Sequence, residues 1–135
     1  MAISKDSPKH NVKLVDGNGP VDFMSGTFTA LHATVSVTGS TVLVGGTALQ
    51  AIKVVGFNTS AGGDVPFGLE SRTVGTTATP VTLTGVYDSI DGVPMTLPVT
   101  PNVNTAWYTS AVGSDLMVNQ TAAAARVYDV IYTKE

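Results

Sequence analysis

Two histidines, eight aspartates and two glutamates are the side chains of this 135-residue sequence best suited to acid–base work near neutral pH, and their spacing argues against a catalytic site. Nucleophilic catalysis needs a nucleophile, a base within hydrogen-bond reach and a group that orients the base. His10 lies in the charged N-terminal stretch "MAISKDSPKHNVKLV", with no regular element around it to preorganise a site. His32 lies in "ALHATV", where strand alternation puts it with Thr34 and Ser36, on the face opposite Val35 and Val37. It reads as a partly exposed strand histidine, and no G-x-S-x-G elbow is present to use it. The closest carboxylate pair, Asp88 and Asp91 in "YDSIDGVP", falls in a run whose Asp-Gly and Val-Pro steps specify a turn. A glycosidase would need two carboxyl groups across a substrate cleft, and nothing here builds one.

Metal and phosphate chemistry fare no better. "DGNGPVD" (16–22) begins like a calcium loop, but counting from Asp16 the fifth position is Pro20, the sixth Val21 and the twelfth Thr27. An EF-hand needs an oxygen ligand, a glycine and a glutamate at those places. With no cysteine, thiol catalysis, iron–sulfur clusters and cysteine-based zinc sites are excluded. Gly45-Gly46 and Gly62-Gly63 lie between strand-like runs, without the helix and lysine that a phosphate loop requires. The expectation is a non-enzymatic protein with no cofactor and no metal.

The elements that would have to position any site are strands. Short runs rich in valine and threonine recur between glycine, proline and Asn/Asp turns, and no long helical period interrupts them. "TFTALHATVSVTG" (27–39) alternates, and Gly39-Ser40 then reads as a hairpin turn. "LQAIKVVGF" (49–57) sets Ile52 and Val54 against Val55 and Phe57, and residues 58–64 read as a hairpin loop beyond it. "VPFGLESRTV" (65–74) and "PMTLPV" (94–99) carry prolines that predict edge strands. "TPVTLTGVYD" (79–88) alternates as well. "NTAWYTSAVG" (104–113) holds the one tryptophan, with Trp107 expected in the core and Tyr108 at a surface or interface. "SDLMVNQT" (114–121) pairs Leu116 with Val118. "TAAAAR" (121–126) allows one helical turn, and "RVYDVIYT" (126–133), apolar on both faces, suits a central position or an interface. About eight or nine strands at roughly 8–12-residue spacing predict an all-β antiparallel sandwich, jelly-roll-like, over residues 16–135, preceded by an extended arm over residues 1–15.

Composition points towards assembly. Charged residues make up 13% of the chain, against about 25% in a typical soluble domain, while 43% are apolar. A monomer rarely leaves so weakly charged a surface uncovered. Lys5, Lys9 and Lys13 make the arm basic, whereas nine of the ten acids follow residue 13. No basic stripe interleaved with aromatics supports nucleic-acid binding, and no window approaches the roughly 20 apolar residues of a membrane helix. The N-terminus lacks the apolar core of a signal peptide, which predicts synthesis in a cytoplasm. The sequons Asn58-Thr59-Ser60 and Asn119-Gln120-Thr121 then carry no glycan.

The arm "MAISKDSPKHNVKLV" and the runs "TALQAIKVVGFNTSAGGDVPFG" and "VGSDLMVNQTAAAARVYDVIYT" resemble the small β-sandwich proteins of tailed-bacteriophage virions, especially capsid decoration (cement) proteins. The resemblance implies a homo-oligomer, a trimer first and a dimer second. Such a protein sits on the capsid exterior over junctions of the major capsid protein and braces the shell. The expected contacts are Lys5, Lys9, His10 and Lys13 of the arm, Pro66, Phe67, Pro94 and Pro98 of the proline-marked edges, and Tyr108. The alternatives are a phage tail tube or tail-completion protein, and a carbohydrate-binding sandwich module that stacks a sugar on Trp107 or Tyr108.

Overall fold

A strand shows alternate side chains to its two faces, so one that lines a core must keep its phase or break it with an irregularity. The computed structural model describes residues 15–16, 19–20, 28–88, 93–100 and 102–135. Strands β1 (Val15–Asp16) and β2 (Gly19–Pro20) pair with each other, and the rest of the arm lies outside the described residues. Next come β3 (Thr29–Val35), β4 (Gly39–Val44), β5 (Ile52–Ala61), β6 (Phe67–Thr73), β7 (Val81–Thr82) and β8 (Met95–Leu97). After them run β9 (Tyr108–Thr109), β10 (Ser114–Gln120) and β11 (Arg126–Lys134).

These strands form two antiparallel sheets. One runs β3-β11-β5-β8, with β9 also on β5, and the other runs β4-β10-β6-β7. The pairs β3·β11, β4·β10, β5·β8 and β6·β7 are nested, first strand with last and so inward. A long antiparallel hairpin rolled so that its pairs alternate between two sheets has this order, which is a jelly roll. The fold is an all-β sandwich, as the alternation predicts.

Between the sheets lie Val35, Leu43, Val44, Ile52, Val54, Phe57, Phe67, Leu69, Leu116, Val118, Tyr128 and Val130. Phe67 is the hub of this layer. Its ring centroid is 5.3 Å from Tyr87, 5.6 Å from Tyr128 in an edge-on contact and 6.1 Å from Phe57. These are separations at which aromatic pairs attract beyond their buried area.

Three features depart from simple alternation. In β5 the core-facing set is Ile52 and Val54, then Phe57 and Thr59, so Phe57 shares the face of Ile52. The register with β11 shifts between Ile131, opposite Gly56, and Tyr132, opposite Val54, and leaves Val55 as an extra residue. That is a β-bulge, and it re-phases the strand. The Val55 carbonyl accepts from the Thr100 amide at 2.8 Å, so the segment after β8 folds over the outer side of β5. Secondly, neither Gly39-Ser40 nor residues 58–64 form a hairpin. Residues 36–38 carry the chain from β3 to β4 in the other sheet, and residues 62–66 do the same from β5 to β6. Thirdly, β6 is an interior strand between β10 and β7, not an edge, because Pro66 precedes it and Gly68 tolerates the close backbone of Thr84 and Gly85. β8 is an edge strand, as its flanking Pro94 and Pro98 predict.

The ends of the sandwich are closed by buried polar side chains. The Gln120 amide nitrogen reaches the carbonyl oxygens of Val37, Ala122 and Ala124 at 3.2–3.4 Å, and its carbonyl oxygen accepts from the Tyr128 hydroxyl at 2.9 Å. Residues 121–125, where a helical turn is allowed by composition, form bends that present these carbonyls instead. At the opposite end the Gly46 amide donates to the Asp115 carboxylate at 2.6 Å, and a Cβ on Gly46 would stand 2.5 Å from the Ser114 carbonyl oxygen. Gly45 faces open space.

Two outcomes follow from this packing. Gly46→Ala lowers the free energy of unfolding by about 1–3 kcal/mol, the usual range for overpacking, while Gly45→Ala stays within about 0.5 kcal/mol; denaturant titration of the two variants tests the contrast. Burial pushes the Tyr128 phenol up from its ordinary range, with the Arg126 charge acting the other way. Tyrosines of the unfolded chain ionise near pH 10, so this contribution is fully present below about pH 10 and is lost as the pH climbs beyond it. Urea midpoints should stay level to about pH 9 and fall above 10, and Tyr128→Phe should make that alkaline slope shallower.

Candidate functional site

An exposed leucine at a tight turn marks one end of the sandwich. The amide of Gln50 donates to the carbonyl of Thr47 at 3.2 Å, closing a four-residue turn with Leu49 third. Leu49 has φ of 64°, and a positive φ at that position defines a type II turn, where glycine or asparagine is preferred. A branched side chain in this left-handed region costs about 1–2 kcal/mol. Leu49 is 90% exposed, so no burial offsets the strain.

The neighbouring loops share the same end. Val74 donates its amide to the Gly113 carbonyl at 3.1 Å, and Gly113 donates to the Gln50 carbonyl at 2.8 Å. Val74 and Val112 are exposed on these loops beside Leu49. Residues 45–51, 74–80 and 98–113 hold no charged side chain. Three of the charges bordering them are engaged: Asp115 by the Gly46 amide, Lys134 on the Thr47 hydroxyl at 3.1 Å, and Lys53 with Glu135 at 2.9 Å. Arg72, two residues before Val74, keeps a buried Nε with no hydrogen-bond partner among the described residues. The result is an uncharged end with apolar tips, built on backbone hydrogen bonds between three loops.

The residues singled out from the sequence fall in several places. Lys5, Lys9, His10 and Lys13 lie outside the described residues. Pro94 and Pro98 are exposed at the two ends of β8, and Pro66 is half-buried, its carbonyl taken by the Thr121 amide at 3.0 Å. Phe67, 1% exposed, belongs to the core and meets the surface only through a pocket. Trp107 and Tyr108 exchange their expected places. Tyr108 pairs with Val54, which faces the core, and cross-strand partners share a face. Its hydroxyl therefore meets that of Tyr87 at 2.6 Å inside, and burial followed by this bond pushes its pKa up. Trp107 is 41% exposed and donates its indole N–H to the Pro98 carbonyl at 2.7 Å.

The outer face of the β3-containing sheet carries a polar row. His32 Nδ1 meets Asp129 Oδ1 at 2.5 Å, Asn58 Nδ2 lies 3.5 Å from Asp129 Oδ2, and the Thr96 hydroxyl donates to Asn58 Oδ1 at 2.9 Å. All four are direct cross-strand partners, so the row runs from one edge of the sheet to the other. The histidine–carboxylate pair is exposed, and no serine, threonine or cysteine nucleophile is bonded to it among the described residues. Exposed pairs of this kind contribute about 0–1 kcal/mol. Among the described residues no three His, Asp or Glu side chains gather to hold a metal ion.

Pro94, Pro98 and the exposed position of His32 were legible from residue types. Leu49, Val74 and Val112 were not, because a lone apolar residue in a loop carries no periodic signal. The one available sign was a leucine inside "GGTALQ", where a turn would favour glycine. No protein-family model, no curated protein and no solved structure matches the chain.

Leu49→Gly should raise the free energy of unfolding by roughly 0.5–1 kcal/mol, since it removes left-handed strain at no loss of burial. An unchanged or lower denaturant midpoint would contradict the strain assigned to this turn.

Proposed function

We propose that the chain is a non-enzymatic virion structural protein, a decoration protein that binds the shell of the major capsid protein and braces it. The observation that carries the reading is the uncharged end bearing Leu49, Val74 and Val112. A soluble domain gains nothing from displaying a strained leucine to water, whereas a leucine held rigidly at a turn is suited to fill a pocket on a partner. A few residues buried at the centre of an interface carry most of its binding energy. Leucine and valine are not the usual ones, so the support here comes from the pre-set turn that fixes Leu49 and not from its residue type. The jelly-roll sandwich supports the reading as a rigid platform, and the low charge of the chain supports burial against other protein. The prolines flanking β8 fit a second, lateral contact between copies, in keeping with a trimer.

The test uses the full chain and expanded shells that lack it. In a sedimentation assay the wild-type protein co-pellets with shells, and light scattering shows a trimer. Leu49→Asp with Val112→Asp should weaken shell binding at least tenfold, a loss of about 1.4 kcal/mol or more, with the unfolding midpoint no lower than wild type, since aspartate tolerates the left-handed turn. Deleting residues 2–13 tests the arm in the same assay. Shell binding that ignores all of these changes would sink the reading. A stacked ring or polymer would favour a tail tube, and quenching of Trp107 fluorescence by a glycan would favour a carbohydrate-binding module.

A further inference from the structure

The end of the sandwich opposite Leu49 holds a buried cation with no counter-ion among the described residues. Arg126, the first residue of β11, is 1% exposed. Its Nε donates to the Val65 carbonyl at 3.0 Å, its Nη1 donates to the Thr59 hydroxyl at 2.9 Å, and its Cζ lies 4.8 Å from the centre of the Phe67 ring. Every one of these partners is neutral. Among the described residues no carboxylate forms an ion pair with it, and Nη2 donates to none of them. Burial pushes the Arg126 pKa down, with Tyr128 and then Asp64 acting the other way at longer range, but an arginine stays protonated in a protein. Buried charges are normally paired, because an unpaired one loses its hydration without compensation.

Arg126 lines a pocket of about 180 Å³, room for about six waters. Its other walls are the rings of Phe67 and Tyr87 and the side chains of Pro94, Met95 and Val93, with Asp88 also present. Among the described residues its lining is therefore apolar apart from one exposed carboxylate and a guanidinium whose Nη2 meets no acceptor of theirs. We propose that this pocket binds a monocarboxylate on a short apolar or aromatic body, its carboxylate accepting from Arg126 and its body lying against Phe67, Met95 and Pro94. A guanidinium matches a carboxylate in shape and charge, and the pair is stronger where water is excluded. The class is narrowed by what surrounds the cation. A guanidinium forks onto phosphate as readily as onto carboxylate, but Asp88 opposes the second negative charge of a phosphate or sulfate dianion. A carboxylate of this kind comes either from a free small acid or from an acidic side chain of a protein segment, and the two sources can be told apart.

The experiment titrates the full-length protein with benzoate and isovalerate, followed by NMR at the Met95 methyl and the Tyr87 ring. Saturable shifts at those two residues are expected from both acids, with the neutral isosteres benzamide and isovaleramide binding at least tenfold more weakly. Met95→Trp, which fills the pocket and leaves Arg126 in place, should weaken benzoate at least tenfold with an unchanged unfolding midpoint. Arg126→Gln should do the same, and if it fails to fold the Met95 variant still decides. A C-terminally amidated tripeptide with glutamate between two leucines reports the source: tighter binding than either free acid assigns the site to a protein side chain, and weaker binding assigns it to a small acid. Equal binding of acids and amides, inorganic phosphate binding as tightly as benzoate, or no saturable shift at Met95 and Tyr87 would each overturn the proposal and leave Arg126 as a brace between Val65 and Thr59.

Discussion

Nearly every connection in this sandwich crosses from one sheet to the other, and that constraint governs the rest of the structure. Among the described strands around the core, only β6–β7 and β8–β9 are joined within a sheet; the steps β3–β4, β4–β5, β5–β6, β7–β8, β9–β10 and β10–β11 all cross. A hairpin satisfies its own backbone groups, but a crossing loop leaves carbonyls and amides at the rim of the core with no strand to pair them. Some are met by the backbone of a neighbouring loop, as between Gly113 and Gln50 or Thr121 and Pro66, and others by side chains. Gln120 meets three carbonyls at one end, Arg126 meets the Val65 carbonyl beside it, and Asp115 and Ser110 take the amides of Gly46 and Ile52 at the other. Buried Gln120, Ser110 and Arg126, with half-buried Asp115, are therefore closures of the topology.

The same constraint explains which parts of the fold were legible. Alternation is a local signal, so Leu116 with Val118, the central placement of β11 and the proline-marked edge β8 could be read from the residues. Strand pairing is not local. Gly39-Ser40 and Gly62-Gly63 carry the turn chemistry of hairpins, and nothing within a few residues tells a tight turn within a sheet from a short crossing between sheets. The bulge at Val55 shows the limit from another side. Ile52, Val54 and Phe57 share a face only because β11 skips one residue of β5, and that shift is written in the pairing of both strands. Trp107 and Tyr108 follow from it, since Tyr108 takes the face of Val54 by pairing with it.

The candidate surfaces were less legible than the fold, for a related reason. The run "TAAAAR" has the composition of a helical turn. Its alanines instead leave room for the Ala122 and Ala124 carbonyls to reach Gln120, and its arginine turns inward at the start of β11. Helix propensity summed over one turn is small beside the cost of leaving buried carbonyls unmet. Leu49 is the converse case, a residue whose intrinsic preference opposes its backbone. The three loops hydrogen-bonded around Gln50 and Gly113 impose that turn whichever residue stands at its third position.

The two ends of the molecule are consequently different in kind. At the Leu49 end, backbone-to-backbone bonds join the loops beside the Asp115 and Ser110 side chains, and the uncharged side chains of Leu49, Val74 and Val112 face outward. At the Arg126 end, side chains do the tying, so the groups that close the core also line a pocket. β5 spans the ten residues between them, and no loop belongs to both. A partner seated on Leu49, Val74 and Val112 would leave the Arg126 pocket open. Occupation of that pocket would act on the β5–β6 and β10–β11 connections through Val65, Thr59 and Arg126 itself. The two proposed sites are thus independent of each other, since the uncharged apolar end and the pocket beside Arg126 lie at opposite ends of β5 and share no loop.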